Sequence, residues 1–274
     1  MPIRPDAVAP VPRAVGTLRL STKRSDDRSV LNTLHQQGSF KCLFPRPTGP
    51  ELNAVVLNTA GGVTGGDTFR LLGQMAPRTE LTLTTQACER AYKAHQGQTA
   101  RIFNHLKVGA HARINWLPQE TILFNGSDLD RKLLIELASD AAALIVEPLI
   151  FGRAAMGEKL TEATLRDRIE IRRNGHPLFL DAVRMSGDLN THLAKASIAD
   201  GSGALALVVY IAPDAEVRLD AVRHMLPDHA GASLIRNDVL AVRLLAAHGF
   251  ALRQSLIPIL RHLNADTLPR CWTI

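Results

Sequence analysis

Cysteine is scarce in this chain and none of it is paired by spacing. Cys42, Cys88 and Cys271 lie far apart without a Cys-x-x-Cys pair, so neither a disulfide framework nor a zinc site is indicated. The histidines are scattered, and the nearest approach to a ligand spacing, His224 and His229, is expected on different helix faces. Aromatic residues make up only 4%, which leaves no basic patch interleaved with the rings on which bases stack. No run approaches the ~18 consecutive apolar residues of a transmembrane helix, and no charged-then-apolar leader opens the chain. The expectation is a cytoplasmic protein that binds neither membrane nor nucleic acid. A nucleophile elbow is lacking too: Gly201-Ser202-Gly203 has the wrong spacing, and Ser127 follows a glycine with no second one in place.

What is present is an ordinary globular composition, 46% hydrophobic and 21% charged over 274 residues. At ~150 residues per domain this permits one large domain or two small ones, and no linker divides it. The net charge is +6 and the pI 9.6. Half of the excess falls between Met1 and Arg28, and the rest is thinly spread, which reads as solvated surface. Pro2, Pro5, Pro10 and Pro12 disfavour helix and predict an extended or disordered tail over 1–16. A single domain over 17–274 follows, β-rich over 17–212 and helical over 213–264.

The β reading rests on periodicity. Leu52 to Leu57 is a continuous apolar run fit for a buried strand, and Glu80–Thr84, Arg113–Trp116 and Arg168–Arg172 alternate at period two. Lys132–Leu137, Ala142–Ile150, Leu178–Val183 and Ala204–Ile211 add four more candidates. Many short strands with close-set turns predict a mainly β body of stacked sheets, of β-helix-like form, with a few short α-helices toward the C-terminus. Asp214 caps a predicted helix through Leu226, and Asn237 or Asp238 a second that ends at Gly249. A third runs around Leu252 to Leu263, interrupted or kinked at Pro258. No internal repeat marks a solenoid.

The chain is organised around Leu57 to Phe69, where Gly61, Gly62, Gly65 and Gly66 follow the apolar run Ala54-Val55-Val56-Leu57. Gly61 to Thr68 reads Gly-x-x-x-x-Gly-Asp-Thr, with Asp67 at the place of the P-loop lysine. A carboxylate beside a polyphosphate is repulsive, so the loop is unsuited to nucleotide. On residue chemistry alone it is a glycine-rich turn between strands.

This stretch resembles the signature of the UreD family of urease accessory proteins, also called UreH. So do Thr84-Thr85-Gln86-Ala87-Cys88-Glu89-Arg90-Ala91-Tyr92-Lys93 and Trp116-Leu117-Pro118-Gln119-Glu120-Thr121-Ile122-Leu123-Phe124. Glu147, then Phe151-Gly152-Arg153-Ala154-Ala155-Met156-Gly157-Glu158, and finally Pro269-Arg270-Cys271-Trp272 complete the series in order. The resemblance implies a non-enzymatic maturation factor in a β-rich domain with helices on one flank. Its partners would be UreF, the GTPase UreG reached through UreF, and the urease structural subunits. Its role would be to scaffold nickel insertion and to serve as a conduit for Ni²⁺, with no tightly bound cofactor. Arg153, Tyr92 and Trp272 become structural or contact positions.

Among the carboxylates of these blocks, Asp67, Glu89, Glu120, Glu147 and Glu158, four are candidates for a transient Ni²⁺ path: Asp67, Glu120, Glu147 and Glu158. Oxygen ligands suit a passing divalent ion, whereas a tight nickel store would want clustered His or Cys. Glu120 lies between Pro118 and Ile122-Leu123-Phe124, and Glu147 precedes Pro148 in an apolar run. A carboxylate there is buried and must be paired, hydrogen-bonded or on a path that water or a cation uses. The competing reading pairs Glu120 with an arginine such as Arg153 to hold the fold. Two rival functions of other classes stand beside the maturation factor: an independent hydrolase acting through Asp67 and Glu120, and a basic nucleic-acid-binding module.

Overall fold

The computed structural model describes residues 12–273, so most of the expected tail lies outside the described residues. The chain enters as β1 (Val15–Ser25), β2 (Arg28–Gly38), β3 (Phe40–Leu43) and β4 (Leu52–Asn58). There follow β5 (Thr68–Met75), β6 (Glu80–Thr85), β7 (Glu89–Ala91), β8 (Ala100–Val108), β9 (Arg113–Leu117) and β10 (Thr121–Leu123). Next come β11 (Asp128–Leu137), β12 (Ala142–Phe151), β13 (Ala163–Arg173), β14 (His176–Gly187), α1 (Leu189–Leu193) and β15 (Ala204–Ile211). The chain closes with α2 (Ala215–His224), β16 (Ala230–Arg236), β17 (Val239–Ala246) and α3 (Gly249–Leu263). Every strand expected from periodicity is a strand.

From β4 to β13 the chain alternates between two sheets, and successive passes through each sheet stack in parallel, whereas β14 to β17 add antiparallel strands at the far edges. The seven-stranded sheet runs β14-β13-β11-β8-β5-β1-β2, and the larger one β16-β17-β15-β12-β9-β6-β4-β3, with β7 and β10 off this path. Solenoid-like columns result. Leu18, Leu71, Asn104, Leu133 and Ile169 are in-register neighbours in the first sheet, and Leu52, Leu81, Ile114 and Ala143 in the second. The main core fills the space between the sheets. A second core covers the outer face of the larger sheet with Leu252, Leu256, Ile259 and Leu260 of α3 and with Trp272. β12 is therefore buried on both faces, which is why it reads as an apolar run broken only by Glu147.

The helical expectations need correction. Asp214 does precede α2, but that helix stops at His224, so His229 lies beyond it. The helix expected from Asn237 or Asp238 to Gly249 is instead β17, hairpinned to β16. Its Leu and Ala suggested helix, yet Leu240, Val242 and Leu244 are buried while Arg243 is exposed, a period of two that tertiary packing favours over propensity. Gly249 opens α3, whose first turn is capped by His248 Nδ1 accepting from the Ala251 amide. α3 runs through Pro258 without a break, because five apolar side chains on its inner face are buried. No helix among the described residues is long and apolar enough to cross a membrane.

Candidate functional site

Three strands of the larger sheet break at the same level. β4 ends at Asn58, and its column resumes only as an isolated bridge at Val63 to Ala91. β6 gives way to β7 across Gln86–Cys88, and β9 to β10 across Pro118–Glu120. β12 alone continues. It pairs with β9 through Ile145 and with β10 from Leu149, leaving Val146, Glu147 and Pro148 facing the gap. Pro148 has no N–H to lose there. The three breaks are the glycine-rich stretch, the Thr84–Lys93 stretch and the Trp116–Phe124 stretch singled out in the sequence. They open a cavity of about 300 Å³ between the sheets.

The glycines make this closure of the loop sterically feasible. A Cβ on Gly62 would stand 2.3 Å from the Tyr92 ring and 2.7 Å from the Arg90 carbonyl oxygen, and one on Gly65 2.5 Å from the Gln98 carbonyl oxygen. Asp67 organises the turn: its two carboxylate oxygens accept the backbone N–H groups of Ala14 and Thr64, each at 2.8 Å. Tyr92 packs edge-on against Phe124 and donates to the Gly61 carbonyl.

At the inner end of the cavity stand Glu147 of β12 and Arg131 of β11, with Trp116 and Asn104 beside them. Glu147, Arg131 and Asp167 are only 3%, 6% and 7% exposed. Glu147 Oε1 accepts the Trp116 indole N–H at 2.6 Å, and its Oε2 forms an ion pair with Arg131 at 2.7 Å, bridging the two sheets. Arg131 also donates to both oxygens of Asp167, its in-register neighbour on β13, at 3.0 and 2.5 Å, and to Thr121 at 3.1 Å. One guanidinium thus serves two buried carboxylates. Burial pushes the Glu147 carboxyl up to about 7, against the pull of Arg131. Burial likewise raises Glu89 at the cavity wall, where Asn58 donates to both its oxygens.

Glu120 belongs to a different place. It is 1% exposed and accepts from Arg253 of α3 at 3.0 and 3.1 Å and from the Cys88 thiol at 3.2 Å. Arg253 also donates to Gln119 Oε1 and to the Trp272 carbonyl, while the Trp272 indole donates to Leu117 O. The partner of Glu120 is therefore Arg253. Arg153 instead pairs with Glu158 at 2.8 Å on the loop after β12 and lies over the Phe124 ring. Its guanidinium holds the Glu158 carboxyl below the usual range. Cys88 is driven up to about 12, first by burial and then by Glu120, so it is a thiol, not a thiolate.

The four candidate carboxylates thus occupy four separate settings, and only Glu147 lines the cavity. Among the described residues no three His, Cys, Asp or Glu side chains form a group that could hold a metal ion. Arg131, Asp167 and Arg253 escaped sequence reasoning. For the first two a signal existed: each sits in the inward phase of an otherwise apolar alternation, Leu129-Arg131-Leu133 and Leu165-Asp167-Ile169.

Comparison with known proteins bears on the whole chain. The family model described as UreD urease accessory protein matches residues 14–273. A urease accessory protein UreD from Ruegeria pomeroyi is 56% identical over 257 residues, covering 94% of this chain and 100% of that one. The protein of the same name from Roseobacter denitrificans is 48% identical over 263 residues, 96% of each chain. That from Rhizobium rhizogenes is 40% identical, again over 96% of each. With a match of this extent and identity running through every strand of the fissure, the chain belongs to the UreD family of urease accessory proteins.

Proposed function

We propose that this chain acts in urease maturation by binding apo-urease together with UreF and, through UreF, the GTPase UreG, and that Ni²⁺ passes as cargo through the cavity between its sheets. The observation that carries the second half is the fissure itself: three strands are interrupted in register to give access to one buried carboxylate, Glu147, that a purely structural core would not hold there. Along the route Glu89 and Glu147 would supply one or two oxygens at a time, with water completing the shell, which suits transfer of a hard-to-intermediate cation better than storage. The role is non-catalytic. A hydrolase acting through Asp67 and Glu120 finds no support, because both carboxylates are taken up by internal partners.

Glu147→Leu tests the conduit, since it leaves Arg131 paired to Asp167 and swaps an acid for a packed aliphatic group. Pull-down with apo-urease and UreF should be unchanged while urease nickel content and activity fall several-fold. Nickel content at the wild-type level, or loss of complex in step with loss of nickel, would count against the route. Full nickel occupancy of urease expressed without this chain would remove the maturation reading altogether.

A further inference from the structure

The positive charge that looks dispersed along the sequence is gathered by the stacking onto the outer face of the seven-stranded sheet. Arg70 of β5, Arg101 of β8 and Lys132 of β11 come from successive passes of the chain and share one face with Arg19 of β1: Arg70 and Lys132 flank Phe103 in one rung, while Arg19 lies opposite Leu72 and Arg101 opposite Asp130 in the adjoining rungs. All four are exposed. Among the described residues none of them has an acidic partner within ion-pair distance, whereas the neighbouring cations Arg166, Arg168, Arg172 and Lys107 are matched by Asp128, Glu170 and Glu136. The unmatched four rim a shallow depression of about 480 Å³ whose floor includes Leu72 and Phe103, with Asp130 as its one acid.

We propose that this depression is a docking surface for an acidic protein surface that carries an apolar anchor side chain. Carboxylates of the partner would meet Arg19, Arg70, Arg101 and Lys132, and the anchor would cover Leu72 and Phe103, an arrangement of arginines around a small apolar centre that is characteristic of energetically dominant contacts. A second copy of this chain does not fit, because it would bring four like charges against four. Nucleic acid fits less well: a single aromatic ring offers no stacking track, and Asp130 would face phosphate. The proposal deepens the maturation role, and rests on it in one respect: the partner to be tried is apo-urease.

The experiment measures binding of apo-urease to the full chain and to the triple variant R70E/R101E/K132E at low and at physiological salt, with R70Q/R101Q/K132Q as the milder control and thermal melting to verify the fold. Wild-type binding should weaken with salt, the charge-reversed variant should bind at least tenfold more weakly with an unchanged melting temperature, and the neutral variant should fall between. Wild-type affinity in both variants would overturn the surface while leaving the maturation role intact. If apo-urease does not bind the wild-type chain at all, the preceding reading fails instead. An acidic peptide containing leucine then decides the surface by the same comparison, binding that the triple variant loses supporting it and no binding overturning it. Duplex DNA held more tightly than apo-urease and released by the same substitutions would also overturn it.

Discussion

Glu147 and Glu120 are both buried and both answered by arginine, yet the two settings differ in stoichiometry. Glu120 has Arg253 largely to itself, together with a thiol donor, and the pair ties α3 and the C-terminal Trp272 to the broken strand between β9 and β10. That is a clasp. Glu147 must share Arg131 with Asp167, so a buried cluster of two acids and one base retains a negative charge unless it holds a proton. It also borders open volume. A carboxylate fully answered by its neighbours has little left to offer a cation, and one left short of positive charge beside a cavity has much. The difference separates a position that holds the fold from the one that the proposed conduit would use.

The sharpest way to break the contrast is Arg131→Leu. Removing the shared cation strands two buried carboxylates at once, and the chain should lose about 3–5 kcal/mol at neutral pH, read from urea denaturation. A loss below about 1 kcal/mol would mean that the cluster is not electrostatically coupled. Arg253→Leu should do less, about 2–3 kcal/mol, because only Glu120 is stranded and Arg253 is itself partly exposed. Its distinctive result should be faster amide exchange confined to α3 and the C-terminal segment, which Arg131→Leu would not reproduce.

Much of this pairing lay outside what the sequence could disclose. Strands were legible because one face of each is wet: the alternation in Glu80–Thr84 or Arg168–Arg172 is local and needs no partner. Arg131 and Asp167 were missed by one residue, since the expected strands began at Lys132 and Arg168, just past the inward-facing charge. Arg253 could not be paired with Glu120 by spacing, because 133 residues separate them. The solenoid was hidden for a related reason. Stacking demands only that buried side chains meet in register, and Leu18, Leu71, Asn104, Leu133 and Ile169 do so without any shared motif. In the helical region, Leu and Ala in β17 favoured helix locally, and the β15–β17 pairing overrode them. The breaks that form the cavity were visible only as unusual stretches, and their alignment at one level is a property of the stacked strands.

The smallest effect on stability, and the one that bears most on cargo, is expected from Glu147→Gln. Burial places the folded-state pKa of Glu147 near 7, above its ordinary value of 4.5. The native chain therefore binds this proton more tightly than the unfolded chain does. A raised carboxyl pKa contributes stability that is present below the unfolded value and is lost as pH rises through the folded one. Glutamine keeps an acceptor for the Trp116 indole and never ionises, so the variant should match the wild type near pH 5. It should then gain on it steadily to pH 8, by on the order of 1–2 kcal/mol, with the change concentrated between about 5 and 7.5. Urea midpoints of both proteins across that range give the difference directly. A difference that is flat with pH would place the titrating proton outside Glu147, which would then be no better supplied with free negative charge than Glu120. A rising difference, together with retained binding of apo-urease and diminished nickel delivery by the same variant, would tie the unneutralised charge of this cluster to the passage of the ion.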